Sequence, residues 1–197
     1  MWNERYDRED YLFGKAPAAF LAARADVIPD GSRVLCVADG EGRNSVHLAG
    51  LGHEVTAFDA SAVAVDKARK LAQEAGVAVD FNVSGIEDWD WSRPFDAVVG
   101  IFIQFVGPDG RARLFKDMAR VVRPGGLLLL HGYAPRQVEN GTGGPPQREN
   151  MYTVEMLARA YQGWEILHSA DYDRIIDEGT GHSGQSALVD FIARKGQ

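Results

Sequence analysis

A single cysteine, Cys36, stands among the 197 residues, so no disulfide can form within the chain. That fits a reducing compartment, and a cytoplasmic location is expected. No run of Lys and Arg occurs: 21 basic residues face 28 acidic ones, for a formal net charge of −7 and a pI near 5.2. An acidic surface repels a phosphate backbone, which argues against nucleic acid as a partner. Long hydrophobic runs are missing too. The longest, "FDAVVGIFIQFV" and "LLLL", fall short of a bilayer, so no membrane partner is expected. The opening "MWNERYDRED" has no apolar signal core. Five histidines (47, 53, 131, 168 and 182) show no ligand spacing such as H-x-x-x-H, and no metal is expected. There is no G-x-S-x-G and no Ser-His-Asp order of the kind a hydrolase needs.

What is present is a rhythm. After a polar start, "PAAFLAARADVIP" reads as a helix with Pro17 in its first turn. Then strands and helices alternate: "SRVLCVA", "GRNSVHLAGLG", "HEVTAFD", and the helix "SAVAVDKARKLAQEAG" with Ser61 as N-cap and Gly76 as C-cap. "VAVDFNV" and "FDAVVGIFI" follow as strands three and four, "PDGRARLFKDMARVVRPGG" as a helix, and "GLLLLHGY" as strand five. Strands apolar on both faces, separated by helices, predict an α/β fold with a parallel sheet covered on both sides. "APRQVENGTGGPPQREN" (134–150) has no periodicity and reads as a long, functional loop. After the helix "TVEMLARAY", the strands "WEILHSADYDRII" and "SALVDFIARK" are joined by "DEGTGHSGQ" without a helix between them, so they pair antiparallel. The length suits one domain over 1–197.

The chemistry concentrates where strand one ends, in "VLCVADGEGRN" (34–44). Glycines at a strand's carboxyl end let a ligand approach the backbone. The six residues from Gly40 are GEGRNS, so Ser45 replaces the third glycine of the dinucleotide fingerprint. No Gly-Lys-Ser/Thr follows, and Glu41 disfavours phosphate. Asp59, at the tip of strand two, can accept hydrogen bonds from both hydroxyls of a ribose, or it can cap the next helix. Together these features indicate a nucleoside ligand without a pyrophosphate.

Here the chain resembles a family. "VLCVADGEGRN", "VTAFDAS", "FDAVVGIF" and "RPGGLLLL" look like the class I S-adenosylmethionine-dependent methyltransferases, and "WNERY", "YLFG", "GTGGPP" and "DEGTGHSG" are similar to the small bacterial group around the tellurite-resistance methyltransferase and, more distantly, thiopurine methyltransferase. The resemblance implies a Rossmann-like, seven-stranded, mostly parallel sheet with helices on both faces and an antiparallel last strand. It implies a helical lid over 1–31, a core over 32–197 and S-adenosyl-L-methionine as cofactor. Ala38, Asp39, Gly40, Gly42 and Arg43 would meet its amino-acid end, Asp59 its ribose, and Ala60, Gly85, Ile86 and Glu87 its adenine. Gly100 and Ile101 would meet its ammonium, and Arg5, Tyr11 and Phe13 would belong to the lid. Gln104 and Tyr133 fall on the substrate side. Cys36, Ala38, Gly85 and Gln104 depart from the acid, glycine, Asp and His that the family often has there.

The implied reaction is methyl transfer to a small-molecule acceptor, such as a thiol or a selenium or tellurium oxyanion. The turn between strands six and seven would lie beside the pocket, which makes Glu178 and His182 candidate proton acceptors; the alternative for Glu178 is to brace the turn. Two other readings stay open: a non-catalytic nucleoside-binding or interaction protein, and an NAD-dependent oxidoreductase. The oligomeric state is not legible.

Overall fold

The computed structural model describes residues 2–197. The chain forms two compact units. The first runs to Asp90 and includes Glu178–Gly181; the second comprises Trp91–Asp177 and His182–Gln197. Seven strands form one sheet in the order β3-β2-β1-β4-β5-β7-β6.

In the first unit, β1 (Arg33–Val37), β2 (Glu54–Asp59) and β3 (Asp80–Val83) run parallel. Four helices accompany them: α1 (Trp2–Tyr6), α2 (Ala19–Arg24), α3 (Arg43–Gly50) and α4 (Ala62–Ala75). The caps of α4 are those its sequence predicts. The Ser61 hydroxyl accepts the Ala64 N–H at 3.2 Å, and Gly76 adopts a left-handed φ of 68°. The second cap also shortens β3 relative to the expected 77–83. The Val77 N–H donates to the Ala72 carbonyl, and its side chain packs against Val46, Leu71 and Ala72, so Val77 finishes the helix rather than starting the strand. The helix expected from Pro17 is also shorter: it begins after Ala18 and ends in a 3₁₀ turn over Ala25–Val27.

In the second unit, β4 (Phe95–Ile101) pairs parallel with β5 (Val122–Tyr133), and β5 pairs antiparallel with β7 (His182–Arg194). The other elements are α5 (Pro108–Val121), α6 (Val154–Ala160) and β6 (Glu165–Glu178). Pro108 sits in the first turn of α5 and Thr153 caps α6. The loop 134–150 is tied down by one fully buried side chain. The Gln137 carbonyl oxygen accepts the Ala187 N–H at 2.8 Å, while its amide nitrogen donates to Thr142 and to the Gly143 carbonyl. Gly144 then crosses the face of Tyr133, where a Cβ would come within 2.8 Å of the ring. Among the described residues no helix is long and apolar enough to cross a membrane.

Candidate functional site

After β1 the chain turns through three left-handed residues, Ala38 (φ 48°), Gly40 (φ 60°) and Gly42 (φ 86°), before α3 starts at Arg43. Ala38 carries a side chain where glycine is at ease, at a cost of about 1–2 kcal/mol. The two glycines do different things. A Cβ on Gly42 would lie 2.7 Å from that of Ala68, so this glycine lets α3 approach α4. A Cβ on Gly40 would lie 2.9 Å from the Tyr6 hydroxyl, so the bare face of Gly40 is roofed by an aromatic ring.

Asp59 anchors the loop. One carboxylate oxygen accepts the Gly40 N–H at 2.9 Å and the other the Ser61 N–H at 2.8 Å. Each oxygen retains a second lone pair. Burial pushes Asp59 above the usual carboxylate range, and the two N–H bonds pull against that. Asp39 is bonded by the Ser45 hydroxyl at 2.5 Å. Burial, with the charge of Asp59 adding to it, pushes Asp39 up to about 7 despite the Ser45 bond. Glu41 is buried and paired with Lys67 at 2.5 Å. Ser45, the departure from the dinucleotide fingerprint, therefore serves as the partner of Asp39.

Of the N-terminal segment, Tyr6 is the residue that reaches the glycine loop. Arg5 is exposed and lies over the Trp2 ring at 4.9 Å. Tyr11 donates to the Lys67 carbonyl at 3.1 Å, and Phe13 packs edge-on against Tyr6 at 6.2 Å. The signal for Tyr6 was present in "WNERY": Trp2 and Tyr6, four apart on one helix face, stack at 6.0 Å. Lys67 secures the segment by donating to the carbonyls of Tyr6, Arg8 and Asp10.

Arg43, expected at the cofactor's amino-acid end, has a buried partner. Its guanidinium pairs with Glu178 at 2.8 Å, with the two side chains 6% and 8% exposed. The other Glu178 oxygen accepts the Ala19 N–H at 3.0 Å. Both oxygens are thus engaged by donors of the first unit, the bracing arrangement that stands as the alternative to a proton acceptor here. The turn itself is gripped by the N-terminal segment: Gly181 N–H donates to the Leu12 carbonyl at 2.9 Å, and a Cβ on Gly179 would strike the backbone of Phe13 and Gly14 at 2.5 Å. Of the residues expected to flank an adenine, Ala60 and Glu87 are exposed while Gly85 and Ile86 are half-buried. The Gly85 carbonyl accepts the N–H groups of Asp88 and Trp89, and Trp89 stacks on Phe58 at 4.4 Å.

In the second unit, Gly100 faces the core: a Cβ there would meet Ile103 at 2.6 Å and Met118 at 3.1 Å. Half-buried Ile101 ends β4. Gln104 extends the β4–β5 ladder. Its amide nitrogen donates to the Tyr133 carbonyl at 2.8 Å and its oxygen accepts the Tyr133 N–H at 2.6 Å. Its amide is thus paired on both sides with the Tyr133 backbone. Phe102, which sequence reasoning missed, holds a left-handed φ of 55°. Its ring meets those of His182 at 4.1 Å and of Tyr133 and His131 at 4.8 Å. His182 and Tyr133 meet edge-on at 5.6 Å.

Residues 34–126 match the methyltransferase domain family. A ubiquinone biosynthesis O-methyltransferase of Xanthomonas axonopodis pv. citri is 37% identical over 113 residues, covering 56% of this chain. The match spans 46% of that relative, so the chain corresponds to about half the relative's length. Among solved structures, TehB from Haemophilus influenzae superposes with a TM-score of 0.75 at 19% identity, over 98% of this chain and 65% of that one. A protein whose structure describes the conversion of a disulfide bond into a thioacetal group during echinomycin biosynthesis superposes at 0.77 with 22% identity, over 98% and 88%. Residues 34–126 are thus similar to a methyltransferase domain, and the seven-stranded sheet has the fold of these two solved structures.

Proposed function

We propose that the chain transfers a methyl group from S-adenosylmethionine to a small-molecule acceptor. The observation that carries this reading is the crowding of Asp39, Glu41 and Asp59 around Gly40, with Asp39 driven to about 7. Lys67 compensates Glu41, which leaves Asp39 and Asp59 bonded by backbone N–H and hydroxyl groups rather than by a cation. Such a loop suits a ligand with a sulfonium and an ammonium, and it would repel a pyrophosphate. When bound, S-adenosylmethionine supplies a methyl group on a sulfonium, which leaves without further activation. Asp59 holds the ribose through its remaining lone pairs, and Gly40 with Asp39 receives the cationic end. Ala60 and the turn Gly85–Glu87 flank the adenine. Tyr6 roofs Gly40 and excludes water.

The acceptor is a hydroxyl compound, a thiol, or a selenium or tellurium oxyanion. An O-methyltransferase name among the relatives supports the hydroxyl compound. Calorimetric titration with S-adenosylmethionine and NAD, followed by turnover of labelled cofactor over a panel of such acceptors, tests the reading. Binding of S-adenosylmethionine alone, with turnover of at least one acceptor, is expected. Binding without any turnover would favour a silent nucleoside-binding protein, and binding of NAD an oxidoreductase.

A further inference from the structure

Lys67, in the second turn of α4, stands between the glycine loop and the N-terminal segment, and every group it meets belongs to the first unit. Its side chain is 11% exposed and its ammonium pairs with Glu41, itself 2% exposed, at 2.5 Å. The same ammonium donates to the carbonyls of Tyr6 at 3.3 Å, Arg8 at 3.1 Å and Asp10 at 2.6 Å. Its N–H groups are thus shared between one oxygen of the glycine loop and three of the N-terminal segment. The charge also lies 5.0 Å from the centre of the Tyr11 ring, within cation–π reach. Among the described residues neither Glu41 oxygen has a further hydrogen-bond partner, so this buried carboxylate depends on Lys67. The segment is fastened at two other points. The Ser61 hydroxyl donates to the Asn3 side-chain oxygen at 2.7 Å, and the Ser61 N–H is one of the two that hold Asp59. The Leu12 carbonyl accepts the Gly181 N–H at 2.9 Å.

What the segment covers decides its role. A glycine at the carboxyl end of a strand leaves backbone open to a ligand. At Gly40 the approach is held by the Tyr6 hydroxyl, which would stand 2.9 Å from a Cβ. A molecule that comes to Gly40 from this side meets Tyr6 first, and Tyr6 is tied through its carbonyl to Lys67. We propose that Lys67 is a positioning residue of the cofactor site: it fastens residues 2–14 as a strap over the glycine loop, S-adenosylmethionine enters and leaves only while the strap is lifted, and Lys67 thereby sets how long the cofactor stays. This rests on the methyltransferase reading of the same loop and adds its gate. Lys67 touches no reacting atom. It acts on the loop through Glu41 and on the strap through three carbonyls, so the two settle together. Without the ammonium, Glu41 is buried with no counter-charge and the carbonyls lose a donor, and both sides loosen at once.

The test compares wild type with Lys67→Met, which keeps the stem and removes the cation and its donors. Dissociation of S-adenosylmethionine is followed by stopped flow against excess S-adenosylhomocysteine, and hydrogen exchange is read along the full chain. Lys67→Met raises the dissociation rate about tenfold or more, as expected for the loss of several hydrogen bonds that close the strap. Exchange over residues 2–14 speeds up in the same variant, while the amides of β1 keep their wild-type rates. In wild type the cofactor slows exchange over the strap. A dissociation rate within about twofold of wild type, strap exchange that does not change, or exchange that rises alike throughout the chain would each overturn the proposal. Should Lys67→Met not fold, Asn3→Ala decides: from an exposed position it removes the Ser61 bond, and dissociation and strap exchange must rise together. If either stays at its wild-type value there, the strap is no gate. Wild type that binds no S-adenosylmethionine would instead overturn the methyltransferase reading, and this proposal with it.

Discussion

Replacing Glu178 by Gln separates a brace from a base. In the folded protein its two oxygens take the Arg43 guanidinium at 2.8 Å and the Ala19 N–H at 3.0 Å, in a setting where both charged side chains are under a tenth exposed. Gln keeps an acceptor for one donor but leaves the guanidinium without a counter-charge. An uncompensated buried charge of this kind costs about 3–5 kcal/mol. With a urea m-value of about 2 kcal/mol/M for a chain of this size, the unfolding midpoint should fall by about 2 M. Urea unfolding at pH 7, followed by far-UV circular dichroism, reads this directly. Removing both charges in Arg43→Met/Glu178→Leu should recover much of the loss, since paired burial gains little over an apolar pair. If Glu178→Gln instead unfolds within about 0.5 kcal/mol of wild type and turnover at saturating acceptor collapses, the brace is refuted and Glu178 returns as a proton acceptor.

Asp59→Ala should weaken S-adenosylmethionine binding about 10- to 100-fold by calorimetry and also lower stability, because the Gly40 and Ser61 N–H groups lose their acceptor. Asp39 has a folded pKa of about 7, above its unfolded value of 3.8, so the stability it contributes is complete below about pH 4 and is lost as pH rises through 7. Urea unfolding at pH 5 and pH 8 should show a fall on the order of 3 kcal/mol in wild type that is much reduced in Asp39→Asn; equal slopes would show that Asp39 does not hold a proton. Ala38→Gly relieves the left-handed strain and should raise the melting temperature, for a net gain of about 0.5–1 kcal/mol; a fall would mean the Ala38 methyl contributes more packing than strain.

The strand–helix alternation, the caps of α4 and the position of Asp59 were legible because each depends on neighbours within a few residues. Ser61 and Gly76 stand at the two ends of one apolar pattern, and their geometry followed. What was not legible depends on partners distant in sequence. Arg43 and Glu178 are 135 positions apart, and His131 and Asp190 are 59 apart. No local spacing links them, so the Arg43–Glu178 pair was not legible, and bracing stood only as an alternative for Glu178. The pairing of Gln104 with the Tyr133 backbone was hidden for a related reason: an amide that bonds like a strand residue looks, in sequence, like any polar group in a loop. The left-handed turns at Ala38 and Phe102 were hidden because neither residue type announces a positive φ. Tyr6 was within reach of periodicity, which pairs it with Trp2, but only the fold shows what lies beneath its hydroxyl.

The first unit is discontinuous: the four residues Glu178–Gly181, encoded near the far end of the chain, belong to it. Dissection by a single cut therefore cannot release it whole. A fragment ending at Asp90 would carry Arg43 with no counter-ion, Ala19 with an N–H seeking an acceptor, and a bare Leu12 carbonyl where Gly181 should dock. The tip also tolerates little change, since a side chain at Gly179 would meet backbone on the other side at 2.5 Å. Loop tips are commonly where insertions, nicks and new termini are accepted. In this chain the three-residue tip after β6 is one of the least permissive places to open it, and tags or permutation sites belong elsewhere.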